Sequence, residues 1–213
     1  MVLYEPDSQS WRQFGNPIRK RNIESVILDK NITNEVLNDI SLFLNSSEWY
    51  INKGISHQRG YLFYGPPGTG KTSFIKAVAG AIGYDIAILS LSSHHIDDTR
   101  LLTLMVNLPP KTIILLEDID RAMPENRAKL PENDPRFKGM AGSVTMSGLL
   151  NALDGIVGGD GRIVCMTTNH IEQLDPALIR PGRCDKKVLL DNASDEQIEK
   201  IYLQYFEGEI ELV

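Results

Sequence analysis

Apolar positions fall in short, nearly unbroken runs at 61–64, 86–91, 112–116, 163–167 and 188–190, and these predict five strands. Between them, apolar residues recur at helical spacing over 71–82, over 98–107 where Pro109-Pro110 stop the pattern, and over 146–153 with Leu149, Leu150 and Leu153 inward. An earlier helix is predicted from Val36, Leu37, Ile40, Phe43 and Leu44, with Asn31 or Thr33 as its cap, and a last one over 194–206. Strands without polar alternation are buried on both faces, so their alternation with helices predicts an α/β fold with a parallel five-stranded sheet flanked by helices. Residues 1–25 are polar, contain Pro6 and Pro17, and read as an irregular or hairpin segment. Their basic run Arg19-Lys20-Arg21 reads as a solvated face.

A chain of 213 residues with 42% hydrophobic and 23% charged content suits one globular domain with an appendage. The expected division is an N-terminal segment at 1–25, the main α/β domain at 26–192, and the beginning of a helical lid at 193–213. The net charge of −6 opposes nucleic acid and anionic lipid as partners. Cys165 and Cys184 form no CxxC pair or Cys/His cluster, so both are expected as free thiols with no structural zinc. The longest stretch without Asp, Glu, Lys or Arg, residues 139–153, is 15 residues long, short of the ~20 that span a bilayer. Any membrane or import segment is expected outside these residues.

Gly65-Pro66-Pro67-Gly68-Thr69-Gly70-Lys71-Thr72 fits GxxxxGK[ST] and lies directly between a predicted strand and a predicted helix. Small residues let the loop wrap an anion with its N–H groups turned inward, and the helix N-terminus adds partial positive charge. The phosphate-binding set is therefore Gly65, Pro67, Gly68, Thr69, Gly70, Lys71, Thr72 and Ser73. Lys71 supplies a point charge to the β- and γ-phosphates of ATP, and the Thr72 hydroxyl is a hard ligand for Mg²⁺. Glu117 and Asp118 end the apolar run at 112–116, where an open α/β sheet places its ligand. One carboxylate is needed for the metal shell and one to orient water. Asn169 follows another apolar strand, where its amide could hold the attacking water or sense the γ-phosphate. Arg180 and Arg183 bracket Pro181-Gly182, a turn able to present guanidinium groups to a neighbouring subunit's phosphate.

With these motifs in order, and with the stretch 168–183 (TNHIEQLDPALIRPGR), the chain resembles the AAA ATPases over about residues 26 to 206. Trp11-Arg12-Gln13-Phe14-Gly15, Trp49-Tyr50, the segment 59–65 (RGYLFYG), Leu116-Glu117-Asp118-Ile119-Asp120 and the segment 147–155 (SGLLNALDG) are similar more narrowly to the mitochondrial Bcs-type chaperones. The resemblance implies a P-loop NTPase of the AAA type with a helical lid. It also implies a homo-oligomeric ring in the mitochondrial inner membrane whose ATPase faces the matrix. Its cargo would be the folded Rieske iron–sulfur protein, delivered into respiratory complex III.

Carried onto this chain, Lys71 and Thr72 would bind phosphate and Mg²⁺, and Glu117 would support the metal. Asp118 would polarise water, Asn169 would be the sensor, and Arg180 with Arg183 the fingers acting in trans. Most members have Asp then Glu where this chain has Glu117 then Asp118, which leaves open which acid activates water. AAA threading machines carry an aromatic and a glycine in the loop after the second strand. The corresponding Ser92-Ser93-His94-His95-Ile96 has neither, which disfavours gripping an extended peptide and suits folded cargo. His94 and His95 read as exposed loop residues. The competing function is a nucleotide-dependent switch or scaffold that binds ATP and hydrolyses little of it.

Overall fold

A computed structural model describes residues 1–91, 96–122, 144–154 and 161–206. The loop reading at 92–96, with His94 and His95, therefore falls almost wholly outside the described residues, as do 207–213. Strands β1 (Leu3–Asp7), β2 (Ser10–Gln13), β3 (Gln58–Tyr64), β4 (Asp85–Ser90), β5 (Thr112–Glu117), β6 (Arg162–Thr168) and β7 (Lys186–Leu189) form one sheet in the order β2-β1-β4-β5-β6-β3-β7. The described α-helices are α1 (Lys30–Asn45), α2 (Ser47–Lys53), α3 (Lys71–Ile82), α4 (Asp98–Val106), α5 (Met146–Leu153) and α6 (Asp195–Phe206), with short 3-10 turns at Ile23–Ser25, Ile119–Ala122 and Ile171–Gln173.

The five strands expected from the apolar runs form a contiguous parallel block, β4-β5-β6-β3-β7. The sheet has seven strands rather than five because β1 pairs parallel with β4 and β2 folds back antiparallel on β1. This hairpin is tied down at its far side, where the Trp11 indole Nε1 donates to the Leu104 carbonyl at 2.8 Å near the C-terminus of α4. Successive strand side chains point to opposite faces. Tyr61, Phe63, Ile113, Leu115, Ile163 and Cys165 accordingly pack with α1 and α3 residues such as Ile40 and Phe74. Leu62, Leu89, Leu116, Val164 and Met166 pack with Leu101, Leu104, Leu149 and Leu153 of α4 and α5. Both faces are covered, which is why these strands read as continuous apolar runs.

Helix α1 begins earlier than its apolar pattern suggests. Its cap is Asp29, whose carboxylate accepts the Asn31 N–H at 2.9 Å, and neither Asn31 nor Thr33 fills that place. Asp98 in the first turn of α4 accepts the Thr145 N–H at 2.6 Å and the Thr145 hydroxyl at 2.7 Å, joining the start of α5 to α4. Gly148 is needed there because a Cβ would lie 2.1 Å from the Asp98 carboxyl carbon. Both cysteines are buried and free. Burial pushes both thiols up, Cys184 to about 11, so neither is a ready nucleophile. Among the described residues, no helix is long and apolar enough to cross a membrane.

One polar cluster fastens α1 to the sheet. Asp39 accepts from Arg59 Nη2 at 2.7 Å, from Arg59 Nε at 3.1 Å and from the Tyr61 hydroxyl at 2.6 Å. Desolvation opposes the charged form of Asp39, but these donors together hold it below the ordinary carboxylate range. A lowered carboxyl stabilises the fold fully above the unfolded-state value of about 3.9, and that contribution is lost as pH falls through the folded-state value. Asp39→Asn should therefore lower the melting temperature at pH 7. The gap between variant and parent should close below about pH 4, as followed by thermal melts across pH.

Candidate nucleotide site

The loop joining β3 to α3 is shaped by glycines with positive φ: Gly65 at 139°, Gly68 at 83° and Gly70 at 89°. A Cβ on Gly65 would also stand 2.1 Å from the Leu190 carbonyl oxygen, so no other residue fits. The first helical bond of α3 runs from the Phe74 N–H to the Gly70 carbonyl at 2.8 Å. The amides just ahead of it belong to the first turn, whose N–H groups have no helical acceptors and form an anion cradle. Lys71 is 8% exposed. Its ammonium curls back over the loop to the Gly65 carbonyl at 2.8 Å and the Pro66 carbonyl at 2.7 Å. Burial lowers its pKa, while the charges of Asp118 and Asp120 raise it. The Thr69 hydroxyl donates to the Pro66 carbonyl at 3.0 Å and closes the loop.

The acidic corner meets the loop through Thr72, whose hydroxyl donates to Glu117 Oε1 at 2.8 Å. Mg²⁺–oxygen bonds of about 2.0–2.1 Å place neighbouring octahedral ligands about 2.9 Å apart. Thr72 and Glu117 are therefore hard oxygens at the separation one Mg²⁺ would require, and they are the pair that could hold it. Strand β6 lies between β5 and β3, so Asn169, directly after β6, lies on the same sheet edge as the phosphate loop and the two acids. Asp118 has φ 48°, and its N–H donates to the Thr167 hydroxyl at 3.1 Å. Behind it, Asp120 is buried and accepts from the Thr168 hydroxyl at 2.7 Å.

Beside the loop lies a cleft of about 350 Å³ lined by Pro67 to Gly70 and Ser73, by Arg21 and Ser25 to Leu28, and by Asn192, Gln197 and Ile201. Apolar Val26, Ile27, Leu28 and Ile201 give it a wall suited to a flat aromatic base. Helix α6 enters the wall through a reciprocal cap, in which Gln197 Oε1 accepts the Ser194 N–H at 2.9 Å and Ser194 Oγ accepts the Gln197 N–H at 3.3 Å. Arg21, one end of the basic run read as a solvated face, lines this cleft.

Arg180 and Arg183 are not brought to this loop. Their turn packs on the opening of β3, where Asp185 accepts the Gly60 N–H at 2.9 Å and Gln58 Nε2 donates to the Gly182 carbonyl at 2.8 Å. Gly60 and Gly65 are five residues apart on an extended strand, which is ~16 Å. Arg180 is exposed. Arg183 is engaged by Asp154, with Nε to Oδ1 at 2.5 Å and Nη2 to Oδ2 at 2.7 Å. A Cβ on Gly60 would lie 1.9 Å from the Arg183 carbonyl oxygen. Gly60→Ala is therefore expected to force the arginine turn off the sheet, at a cost of about 3 kcal/mol. For a chain of this size, that lowers the melting temperature by roughly 6–12 °C in calorimetry.

Asp120 and Thr168 enter the sequence reading only as members of the stretches 116–120 and 168–183, with no role assigned, and Thr167 carries no signal of its own. The cleft wall at 25–28 was signalled only by the apolar Val26-Ile27-Leu28 ahead of α1.

The profile of the ATPase family associated with various cellular activities (AAA) matches residues 61–192. Over 205 residues the chain is 46% identical to a probable mitochondrial chaperone bcs1 of Schizosaccharomyces pombe, covering 96% of this chain and 44% of that protein. It is 44% identical over 208 residues to the mitochondrial chaperone BCS1 of Bos taurus, covering 98% of this chain and 49% of that protein. It is 41% identical over 165 residues to the AAA-ATPase At2g18193 of Arabidopsis thaliana, covering 76% and 32%. The chain spans about half the length of the curated mitochondrial chaperones it matches.

Proposed function

The chain belongs to the AAA family of ATPases, and from that premise we propose that it is the motor portion of a mitochondrial chaperone acting as a homo-oligomeric ring. In this reading it hydrolyses Mg²⁺-ATP between subunits, faces the matrix from the inner membrane, and moves a folded protein of the Rieske iron–sulfur type for complex III assembly. The observation that carries the motor is the contact between the phosphate loop and the acidic corner, Thr72 Oγ1 to Glu117 Oε1 at 2.8 Å. Lys71 binds and neutralises the phosphates, the loop amides orient them, and Asp118 takes up the proton side of the attacking water. Mg²⁺, when bound at Thr72 and Glu117, supplies charge neutralisation on the β- and γ-oxygens. Asn169 is suited to holding the water in line.

The ring is supported by where the arginines are. They lie on the far side of β3 from their own loop, so an exposed Arg180 serves a neighbouring subunit's phosphate more readily than its own. The chaperone role is supported by the likeness to proteins named mitochondrial chaperones. Phosphate release by the full-length protein should rise in specific activity with protein concentration as rings assemble. Arg180→Ala should bind ATP without hydrolysing it, and mixing it with Lys71→Ala subunits should recover part of the activity at interfaces holding both intact parts. Activity independent of concentration, with no recovery at any ratio, would overturn the shared site. Negligible release at every concentration would favour a nucleotide-dependent switch. Mitochondria lacking the full-length protein should fail to incorporate the Rieske protein into complex III.

A further inference from the structure

We propose that Thr167 is a positioning residue for ATP hydrolysis, whose hydroxyl holds Asp118 in the one backbone conformation that turns it out of β5 toward the phosphate loop. The proposal rests on the reading of the site as an ATPase in which Asp118 acts on water. The β5–β6 ladder ends with Leu116 opposite Met166. Past that point the Asp118 N–H needs another acceptor, and the Thr167 hydroxyl takes it at 3.1 Å. Asp118 has φ 48°, a left-handed conformation that aspartate adopts more readily than most residues with a Cβ but still at some cost, and the Thr167 contact helps to hold it.

Thr167 is 2% exposed. A buried position on a central strand would accept valine equally well for packing and strand preference, so the hydroxyl has a purpose that the core does not supply. The next residue repeats the arrangement from the opposite face of β6. Thr168 is fully buried, donates to Asp120 Oδ1 at 2.7 Å, and accepts the His170 N–H at 3.0 Å. Two consecutive hydroxyls thus fasten the acidic turn on one side and the turn bearing Asn169 on the other. Strand β6 fixes the distance between the water-polarising acid and the sensor. Without the Thr167 hydroxyl, the Asp118 N–H loses its acceptor, and the turn relaxes toward an extended backbone that carries the carboxylate away from the terminal phosphate.

The test uses the full-length protein with Thr167→Val and Thr167→Ser, measuring ATP dissociation constant, kcat, KM and melting temperature. Displacements on the order of 1 Å in an active site cost up to about a hundredfold in rate. Thr167→Val should therefore lose at least about tenfold in kcat, while its ATP affinity stays within about twofold. Thr167→Ser, which keeps the hydroxyl, should restore kcat to within about threefold of the parent. In an Asp118→Asn background, Thr167→Val should add no further loss, because both changes disable one group. If valine fails to give a cooperative melt, Thr167→Ala and Thr167→Ser make the comparison, since they differ only by the hydroxyl. Unchanged kcat in Thr167→Val, equal loss in serine and valine, or full additivity with Asp118→Asn would each overturn the proposal. A parent protein that binds ATP but releases no phosphate would remove the ATPase reading, and this proposal with it.

Discussion

Replacing Lys71 with alanine is expected to weaken ATP binding by about a hundredfold or more in calorimetry. Lys71 is a buried residue, and its ammonium meets two carbonyls of its own loop, those of Gly65 and Pro66. A triphosphate entering the cradle offers stronger, anionic acceptors in the same place. Each charge-assisted hydrogen bond is worth about 1.5–3 kcal/mol. Losing two of them amounts to at least about 3 kcal/mol, somewhat more than a hundredfold. Burial already lowers the pKa of Lys71, and only the charges of Asp118 and Asp120 counter that. The neighbouring acids thus offset part of the cost that burial imposes on the cation. Lys71→Arg should not rescue binding, because a planar guanidinium cannot fold back into a pocket shaped for a compact ammonium. Unchanged affinity in Lys71→Ala would remove the phosphate-loop assignment.

The second large effect separates the two acids. Asp118→Asn should keep ATP bound while lowering turnover by roughly two to four orders of magnitude, the usual range for a lost general base. Glu117→Gln should act chiefly through the metal, raising the Mg²⁺ concentration needed for half-maximal activity, because Glu117 is the acid that touches Thr72. The geometry favours this division. Glu117 still belongs to β5 and reaches the loop hydroxyl, whereas Asp118 leaves the strand with its backbone reversed in sign. Single-turnover phosphate release and Mg²⁺ titration on both variants check it. If Glu117→Gln alone traps ATP while Asp118→Asn still turns over, the two roles are exchanged.

The parallel core was legible in the sequence because strands covered on both faces leave nearly unbroken apolar runs, and 71–82 and 146–153 agree with α3 and α5 end to end. The hairpin β1–β2 was not legible as part of the sheet. Its residues are half-buried or exposed and interrupted by Pro6, and its anchor is a hydrogen bond from Trp11 to Leu104, 93 residues away. Helix α2 was missed for a related reason, since Trp49 and Ile51 are exposed and leave no buried periodic stripe. At the site, contiguous residues were legible because a phosphate loop must be continuous in sequence. Thr167 and Thr168 were not, because threonine is an ordinary strand residue until its hydroxyl is seen to meet Asp118 or Asp120. Nor could sequence spacing foresee Arg183 bound to Asp154, 29 residues earlier, or Arg21 on the wall of the cleft.

A crystal structure of the full-length protein with Mg²⁺ and a non-hydrolysable ATP analogue tests the central claim most directly. The triphosphate should lie along the amides of residues 65–73 with Lys71 Nζ on its β- and γ-oxygens. The metal should contact the Thr72 hydroxyl beside Glu117, and the base should fill the cleft walled by Val26, Leu28 and Ile201. A nucleotide bound elsewhere, with the Lys71 ammonium still closed on the Gly65 and Pro66 carbonyls, would contradict the account.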